Sequence, residues 1–363
     1  MKIGLLNVEI EMNAGTERLI ATHANFLKKK GLDVEILCGY YNKNVFPNDF
    51  KKFKIKEYAK NYENKKKIRS TLLSRHIIDL DVSFLEKYDA LICYRPFTNI
   101  LAMKAKKKYK TKIFWYCSHP EKHLYPKLFK TLNDKKWIFK AILKKGEKLD
   151  KESIKYFDRI WVNSHKMWTK FNLIYEFNEH SVLYPPAGKL MKKSNKTGEY
   201  LISVSRISPE KNQAILLEAL KLIKNKPKTA IIGKISNQKY YEYLKKIVKE
   251  NNLPVEFLGE LDDNEIQKWY DKSFLAVYTS YDEDFGIVPL ECMSSGKPMV
   301  SHVSNGISEI LPRRFVFSTI KELSEKIQSI KNNKIKPLSN EEITLPHKIK
   351  KEHLNEVFEY LMK

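Results

Sequence analysis

At 363 residues the chain is long enough for two domains that each bury a core, and its four cysteines, Cys38, Cys93, Cys117 and Cys292, lie far apart with no Cys-x-x-Cys pair, which excludes a cysteine-held metal cluster and fits free thiols in a reducing compartment. No apolar run approaches the roughly 20 residues of a spanning helix, and Met1-Lys-Ile-Gly-Leu-Leu passes directly into a strand, so the expectation is a cytoplasmic protein that neither crosses a membrane nor is secreted. A formal charge of +24 attracts something anionic, whether nucleic acid, a lipid headgroup surface or a phosphorylated substrate, unless it reflects only the lysine-rich drift of the composition.

Lys2 to Val8 reads as a short strand, Glu9 to Gly15 as a loop, Thr16 to Gly31 as a helix with apolar residues at helical spacing, and Val34 to Cys38 as a second strand. Gly15, taken by itself, reads as an ordinary helix-entry glycine. From Tyr41 to Leu85 the pattern fades into lysine-rich sequence, with a basic run at Lys65 to Lys67 and Arg69. It returns with strands at Asp89 to Tyr94 and Thr111 to Cys117, separated by a helix through Ile100 to Lys108. The second of these strands delivers Ser118, His119 and Pro120 to its carboxyl end, where α/β proteins place binding groups, so His119 is a candidate for the centre, with packing or capping as the plain alternative. Lys122 to Lys148 mixes basic with apolar residues. Leu128, Leu132, Phe139, Ile142 and Leu143 could share one face, suited to a lipid headgroup layer or, more commonly, to a core. Asp158 to Ser164 and His180 to Ala187 read as strands, and Gly188 to Glu199 as a polar linker.

The second half opens with a strand at Tyr200 to Arg206, a charged loop to Lys211 and a helix from Asn212 to Ile223. Arg206 offers a planar fork to phosphate oxygens and Lys211 a mobile point charge. Strands at Ala230 to Gly233 and Val255 to Gly259 alternate with helices near Lys239 to Lys249 and Asp263 to Tyr270. Phe274 to Val277 and Met299 to Val303 are further strands. Pro289 sets the start of the helix between them at about Ile287 to Pro289, and Gly296 with Pro298 stops it. On one continuous helix Glu283 and Glu291 would diverge by roughly 80°, but Glu283 falls in the loop and Glu291 in the first turns, with the N–H groups near Gly286, Ile287 and Val288 between them as an anion cradle. Asn305 to Glu309 reads as a turn with a helix start, and about the last 17 residues as a closing helix.

The nonapeptide Glu283 to Glu291 closely resembles the Glu-x7-Glu motif of the retaining glycosyltransferases of family 4, which have the GT-B fold. The resemblance implies an α/β chain of two doubly wound, Rossmann-like domains facing across a cleft. These are an acceptor-side domain at 1–187, a linker at 188–199, a nucleotide-sugar domain at 200–346 and a closing helix at 347–363 of the kind that crosses back to the first domain. By the same resemblance Glu283 contacts the donor sugar near its reacting carbon, Glu291 holds the ribose hydroxyls, and Arg206 and Lys211 bind the diphosphate. Gly286, Ile287 and Val288 line it, His119 lies near the donor sugar, and the Phe257 to Gly259 stretch receives the base. Gly15, with Ala14 standing where the family has a glycine, approaches the donor phosphates or the acceptor.

The implied reaction is retaining transfer from a nucleotide sugar to a hydroxyl of a sugar or lipid-linked acceptor. In it Glu283 either attacks directly or, as favoured here, stabilises a positively charged sugar. The Asp-x-Asp matches at Asp79 and Asp81 and at Asp282 and Asp284 suggest a metal. Arg206, Lys211 and the helix start already supply positive potential, so the expectation is no metal and no cofactor. Basic segments at Lys65 to Arg69 and Lys122 to Lys148 are candidates for peripheral contact with an anionic membrane. The alternatives are another GT-B enzyme, a nucleotide-sugar epimerase or a phosphorylase, or a basic nucleic-acid-binding protein. No aromatic and basic module of the last kind is present, so nucleic acid is not expected.

Overall fold

Short apolar runs such as Ala90-Leu-Ile-Cys93 are hydrophobic at every position, as strands covered on both faces of a parallel sheet must be. In the computed structural model, which describes residues 1–11, 14–59, 80–129, 137–176, 181–194, 196 and 198–363, they become such strands. The first half contributes β1 (Lys2–Leu6), β2 (Glu9–Ile10), β3 (Asp33–Cys38), β4 (Tyr40–Tyr41), β5 (Lys54–Glu57), β6 (Ala90–Cys93), β7 (Lys112–Cys117), β8 (Arg159–Val162) and β9 (Ser181–Val182). Seven of them form a parallel sheet in the order β5-β3-β1-β6-β7-β8-β9, while β2 pairs with β4. Alternate side chains sort to opposite faces. Ile3, Leu5, Ile36, Ile92, Phe114 and Trp161 meet Leu19, Ile20 and Leu27 of the helix Gly15–Lys29. Leu6, Leu91, Cys93, Trp115 and Val162 meet Ile100, Leu101, Met167 and Phe171 of the helices Thr98–Tyr109 and His165–Tyr175.

The second half supplies β10 (Tyr200–Val204), β11 (Thr229–Ile232), β12 (Val255–Gly259), β13 (Ser273–Tyr278), β14 (Met299–His302) and β15 (Val316–Phe317), all parallel, in the order β12-β11-β10-β13-β14-β15. Counted within this sheet, that is the doubly wound order 3-2-1-4-5-6, which reverses direction between β10 and β13. The chain divides into two compact units, Met1–Tyr184 with His353–Lys363, and Pro185–Glu352. Within the first unit the returning tail is fastened by Trp161, whose Nε1–H donates to Glu356 at 2.8 Å, and by an edge-on ring contact of Phe26 with Phe358.

Several elements differ from the sequence expectation. The helix expected from Asn212 spans Ala214–Lys221, because Asn212 takes a left-handed φ of 51° that no helix continues through. The closing helix starts at Asn340 rather than near residue 347, and it runs 23 residues to Met362 with Pro346 inside it. The stretch 188–199 is packed along much of its length: Met191 is buried, its N–H donates to Ser294 Oγ at 2.8 Å, and the Ser194 N–H donates to the Ser295 carbonyl. The basic run Lys65 to Arg69 and Asp79 lie outside the described residues. So does Leu132 of the expected amphipathic face, of which Leu128 and Leu143 pack against the core.

Candidate active site

The reversal of strand order between β10 and β13 leaves a crevice at their carboxyl ends, and the loops that follow these two strands carry most of the candidate residues. Thr279, just past β13, ties the loops together by donating from Oγ1 to the Lys211 carbonyl at 2.6 Å. Across them Lys211 Nζ lies 2.5 Å from Glu283 Oε2, and the two side chains are 13% and 31% exposed. Burial pushes the Glu283 carboxyl up, but the Lys211 ammonium and the Tyr278 hydroxyl outweigh it and hold the group below its ordinary value, as an anion. Lys211 Nζ also stands 5.7 Å from the centre of the buried Tyr278 ring.

Arg206 stays 41% exposed, 3.5 Å from Glu210. Its loop is fixed from behind by Gln213, whose Nε2 donates to Ser205 Oγ and to the Arg206 carbonyl, both at 2.8 Å.

The acidic turn is stapled by the segment after β14. The Glu283 N–H donates to Asn305 Oδ1 at 3.0 Å, while Asn305 Nδ2 donates to the Ser280 carbonyl at 2.7 Å. The N–H groups of Gly306 and Ile307 donate to the carbonyls of Glu283 and Phe285 at 3.0 and 2.9 Å. A Cβ at Gly306 would sit 2.1 Å from the Asp284 carbonyl oxygen, so only glycine permits this approach. Asp282 is exposed and left-handed, with φ of 58°, and Asp284 is half-buried.

The turn then reaches Gly286 (φ 101°) and the helix Val288–Ser294, with Pro289 in its first turn. The N–H groups of Ile287 and Val288 therefore precede the helical hydrogen-bond ladder. Glu291, one turn on, is half-buried and its Oε1 accepts from the Lys189 N–H at 3.2 Å. Arg206, Lys211, Glu283, Gly286, Ile287, Val288 and Glu291 thus all belong to the second unit.

Gly15 and His119 belong to the first unit. Gly15 opens the helix Gly15–Lys29, and His119 follows β7 with Nδ1 donating to the Pro120 carbonyl at 2.9 Å. Where the order of this sheet reverses, between β1 and β6, Arg95 reaches Glu17 at 2.8 Å and Glu9 at 3.4 Å. Burial raises the carboxyl of fully buried Glu17, and Arg95 pulls it back. Sequence reasoning missed Arg95, Gln213, Tyr278 and Asn305. Only the Asn305-Gly306 pair carried a local signal, and it read as an ordinary turn. Among the described residues no three His, Cys, Asp or Glu side chains are grouped as a metal would need.

Residues 189–345 match the family model described as glycosyl transferases group 1. Sulfoquinovosyl transferase SQD2 of Arabidopsis thaliana is 37% identical over 112 residues, 31% of this chain, and the match spans about a fifth (21%) of the SQD2 length. Alpha-1,3/1,6-mannosyltransferase ALG2 of Mus musculus is 24% identical over 331 residues, covering 80% of this chain and 77% of that protein. Among solved structures, Anabaena HepE in complex with UDP superposes with a TM-score of 0.79 at 18% identity, over 100% of both chains. The chain therefore carries the GT-B fold, and its residues 189–345 are similar to the group 1 glycosyl transferases.

Proposed function

We propose that this chain is a retaining glycosyltransferase that moves a hexose from a nucleotide diphosphate sugar to a hydroxyl of a sugar or lipid-linked acceptor, without a metal. The observation that carries the reading is the Lys211–Glu283 pair, a cation and an ionised carboxylate 2.5 Å apart in the crevice between β10 and β13, with Arg206 on the same loop as Lys211. A diphosphate entering here competes with Glu283 for Lys211 and takes the Arg206 fork. The carboxylate so released faces the sugar as positive charge develops at its reacting carbon. The bond from that carbon to the phosphate oxygen breaks, the acceptor oxygen bonds to the same face, and its proton passes to the departing phosphate. Glu291, oriented by the Lys189 N–H, is assigned the ribose hydroxyls.

Gly15 and His119 keep the roles implied by the resemblance, and His119→Ala is expected to lower turnover. Mannosyl transfer in the name of ALG2 and UDP in the HepE complex support a hexosyl nucleotide donor. Nothing in the comparisons favours an epimerase, a phosphorylase or a nucleic-acid-binding protein.

The test is nucleotide release from a panel of UDP- and GDP-hexoses in excess EDTA. Turnover should persist there and fall by at least a hundredfold in Arg206→Ala, as expected when a donor to a transition-state anion is removed. Release stopped by EDTA and restored by Mg²⁺ or Mn²⁺ would overturn the diphosphate assignment of Arg206 and Lys211. No release from any donor would overturn the reading itself.

A further inference from the structure

The opposite edge of the second sheet carries a second basic feature that glycosyl transfer does not use. At the amino ends of β10, β13 and β14 an open cavity of about 990 Å³ is bounded by Lys196, Gly198 and Glu199, the turn Lys226–Lys228, Lys297 with Pro298, and the stretch Lys331–Pro337. Seven of its lining side chains are lysines and one, Glu199, is a carboxylate, which lies 3.8 Å from Lys228. Most of these lysines are exposed, and a surface cluster in a lysine-rich chain would by itself mean little.

Lys297 is different. It is 5% exposed, and its Nζ donates to the Lys196 carbonyl at 2.5 Å. An ammonium carries three N–H donors and a full charge, and one peptide carbonyl neutralises neither. Among the described residues it has no carboxylate within ion-pair distance, and the remaining charge around the cavity is overwhelmingly of its own sign. Burial pulls its pKa down, with the more distant Asp271 opposing. A multivalent anion in the cavity would supply the counter-charge that the protein does not.

We propose that this cavity is a second anion site, separate from the donor crevice, that takes a ligand bearing two or more phosphate groups, with buried Lys297 at its base and Lys334 and Lys336 at its rim. A purely architectural role for Lys297 is the competing explanation. It would pin Lys196 close to Gly198, where a Cβ would lie 2.2 Å from the Lys272 backbone. That role would change stability without anion and leave the response to anion untouched.

Inorganic tripolyphosphate is the probe, titrated calorimetrically and by thermal unfolding into the full chain and into Arg206→Ala, with sodium chloride of equal ionic strength as control. Saturable binding should survive Arg206→Ala, so that its presence does not depend on the donor-site reading. It should weaken at least tenfold in Lys297→Met and in the doubly substituted Lys334→Glu, Lys336→Glu protein, whose exposed positions leave folding intact. Binding that is unsaturable, matched by chloride, or unchanged in the rim variant would overturn the site. Co-sedimentation with cardiolipin vesicles, whose headgroup carries two phosphates, lost in the rim variant, would identify a lipid headgroup as the phosphate source. Tripolyphosphate binding without vesicle binding would identify a soluble one.

Discussion

Glu283 is held by its main chain as well as by Lys211, and that is where neighbouring residues govern its chemistry. Asn305 is 1% exposed and uses both ends of its amide, accepting from the Glu283 N–H and donating to the Ser280 carbonyl. Asn305→Ala strands both groups in a buried place, at a cost of about 1–3 kcal/mol, and frees the turn that aims the carboxylate. The expected outcome is a lower melting temperature together with a fall in kcat that exceeds the change in donor KM. An effect on melting alone would reduce Asn305 to a packing residue. Glu283→Gln should likewise damage kcat more than KM, and Glu291→Gln chiefly KM; equal effects of both on KM alone would remove the catalytic assignment of Glu283. The two glutamates were legible because the whole nonapeptide between them is local. Asn305 was not, because its partners lie 22 and 25 residues away and its side chain shows only a turn preference in sequence.

At the scale of elements, the strands and most helices could be read from apolar runs and periodicity, while their ends were set by features that periodicity does not carry. The left-handed Asn212 delays one helix, and the edge strand Lys54–Glu57, a Lys-Ile-Lys-Glu run, has too little apolar content to stand out from its lysine-rich surroundings. Gly286 shows the same point inside the site. Its φ of 101° is open to glycine, and a Cβ there would come within 2.8 Å of Tyr278 Cε1. Gly286→Ala therefore meets both backbone strain and a clash with a buried ring, and should cost about 1–3 kcal/mol. Adding Tyr278→Leu should relieve the clash and leave the backbone strain, so chemical denaturation of the double variant should show partial recovery over Gly286→Ala. Full recovery would mean that the φ of Gly286 carries no cost.

For the whole molecule, alternating strands and helices predicted two doubly wound units, but the strand orders that locate the crevices depend on crossovers no local pattern encodes. Nor did the sequence reveal how the terminal helix is received by the first unit. His23 and His353, 330 residues apart, are both fully buried with their Nε2 atoms 2.6 Å from one another. His353 Nδ1 lies 2.8 Å from the Tyr184 carbonyl, which can only accept, so His353 Nε2 takes the proton offered by His23, and His23 Nδ1 accepts from the Tyr94 hydroxyl at 2.7 Å. Packed against the pair are Tyr94, the Tyr184 carbonyl and the Tyr116 ring, 5.2 Å from that of His353, and none of them is a carboxylate. Among the described residues a proton on either ring therefore has no counter-charge. Burial pulls His353 from 6.5 to about 4, and burial together with His353 pulls His23 well below 6.5. Both rings bind a proton more readily once the tail is released, so the docked state loses stability as pH falls below about 6.5. For His353 the loss continues to about pH 4, at a slope that approaches about 1.4 kcal/mol per pH unit for each ring. Amide exchange across 353–362, corrected for its intrinsic pH dependence, should show falling protection from pH 7 to pH 5. In His353→Gln, which cannot take up the proton, the protection should be lower at pH 7 but much flatter with pH. Protection in the natural chain that stays constant from pH 7 to pH 5 would mean that the histidine pair accommodates a proton in place, and that the tail is held by Trp161, Glu356 and the apolar face of Val357 and Leu361 alone.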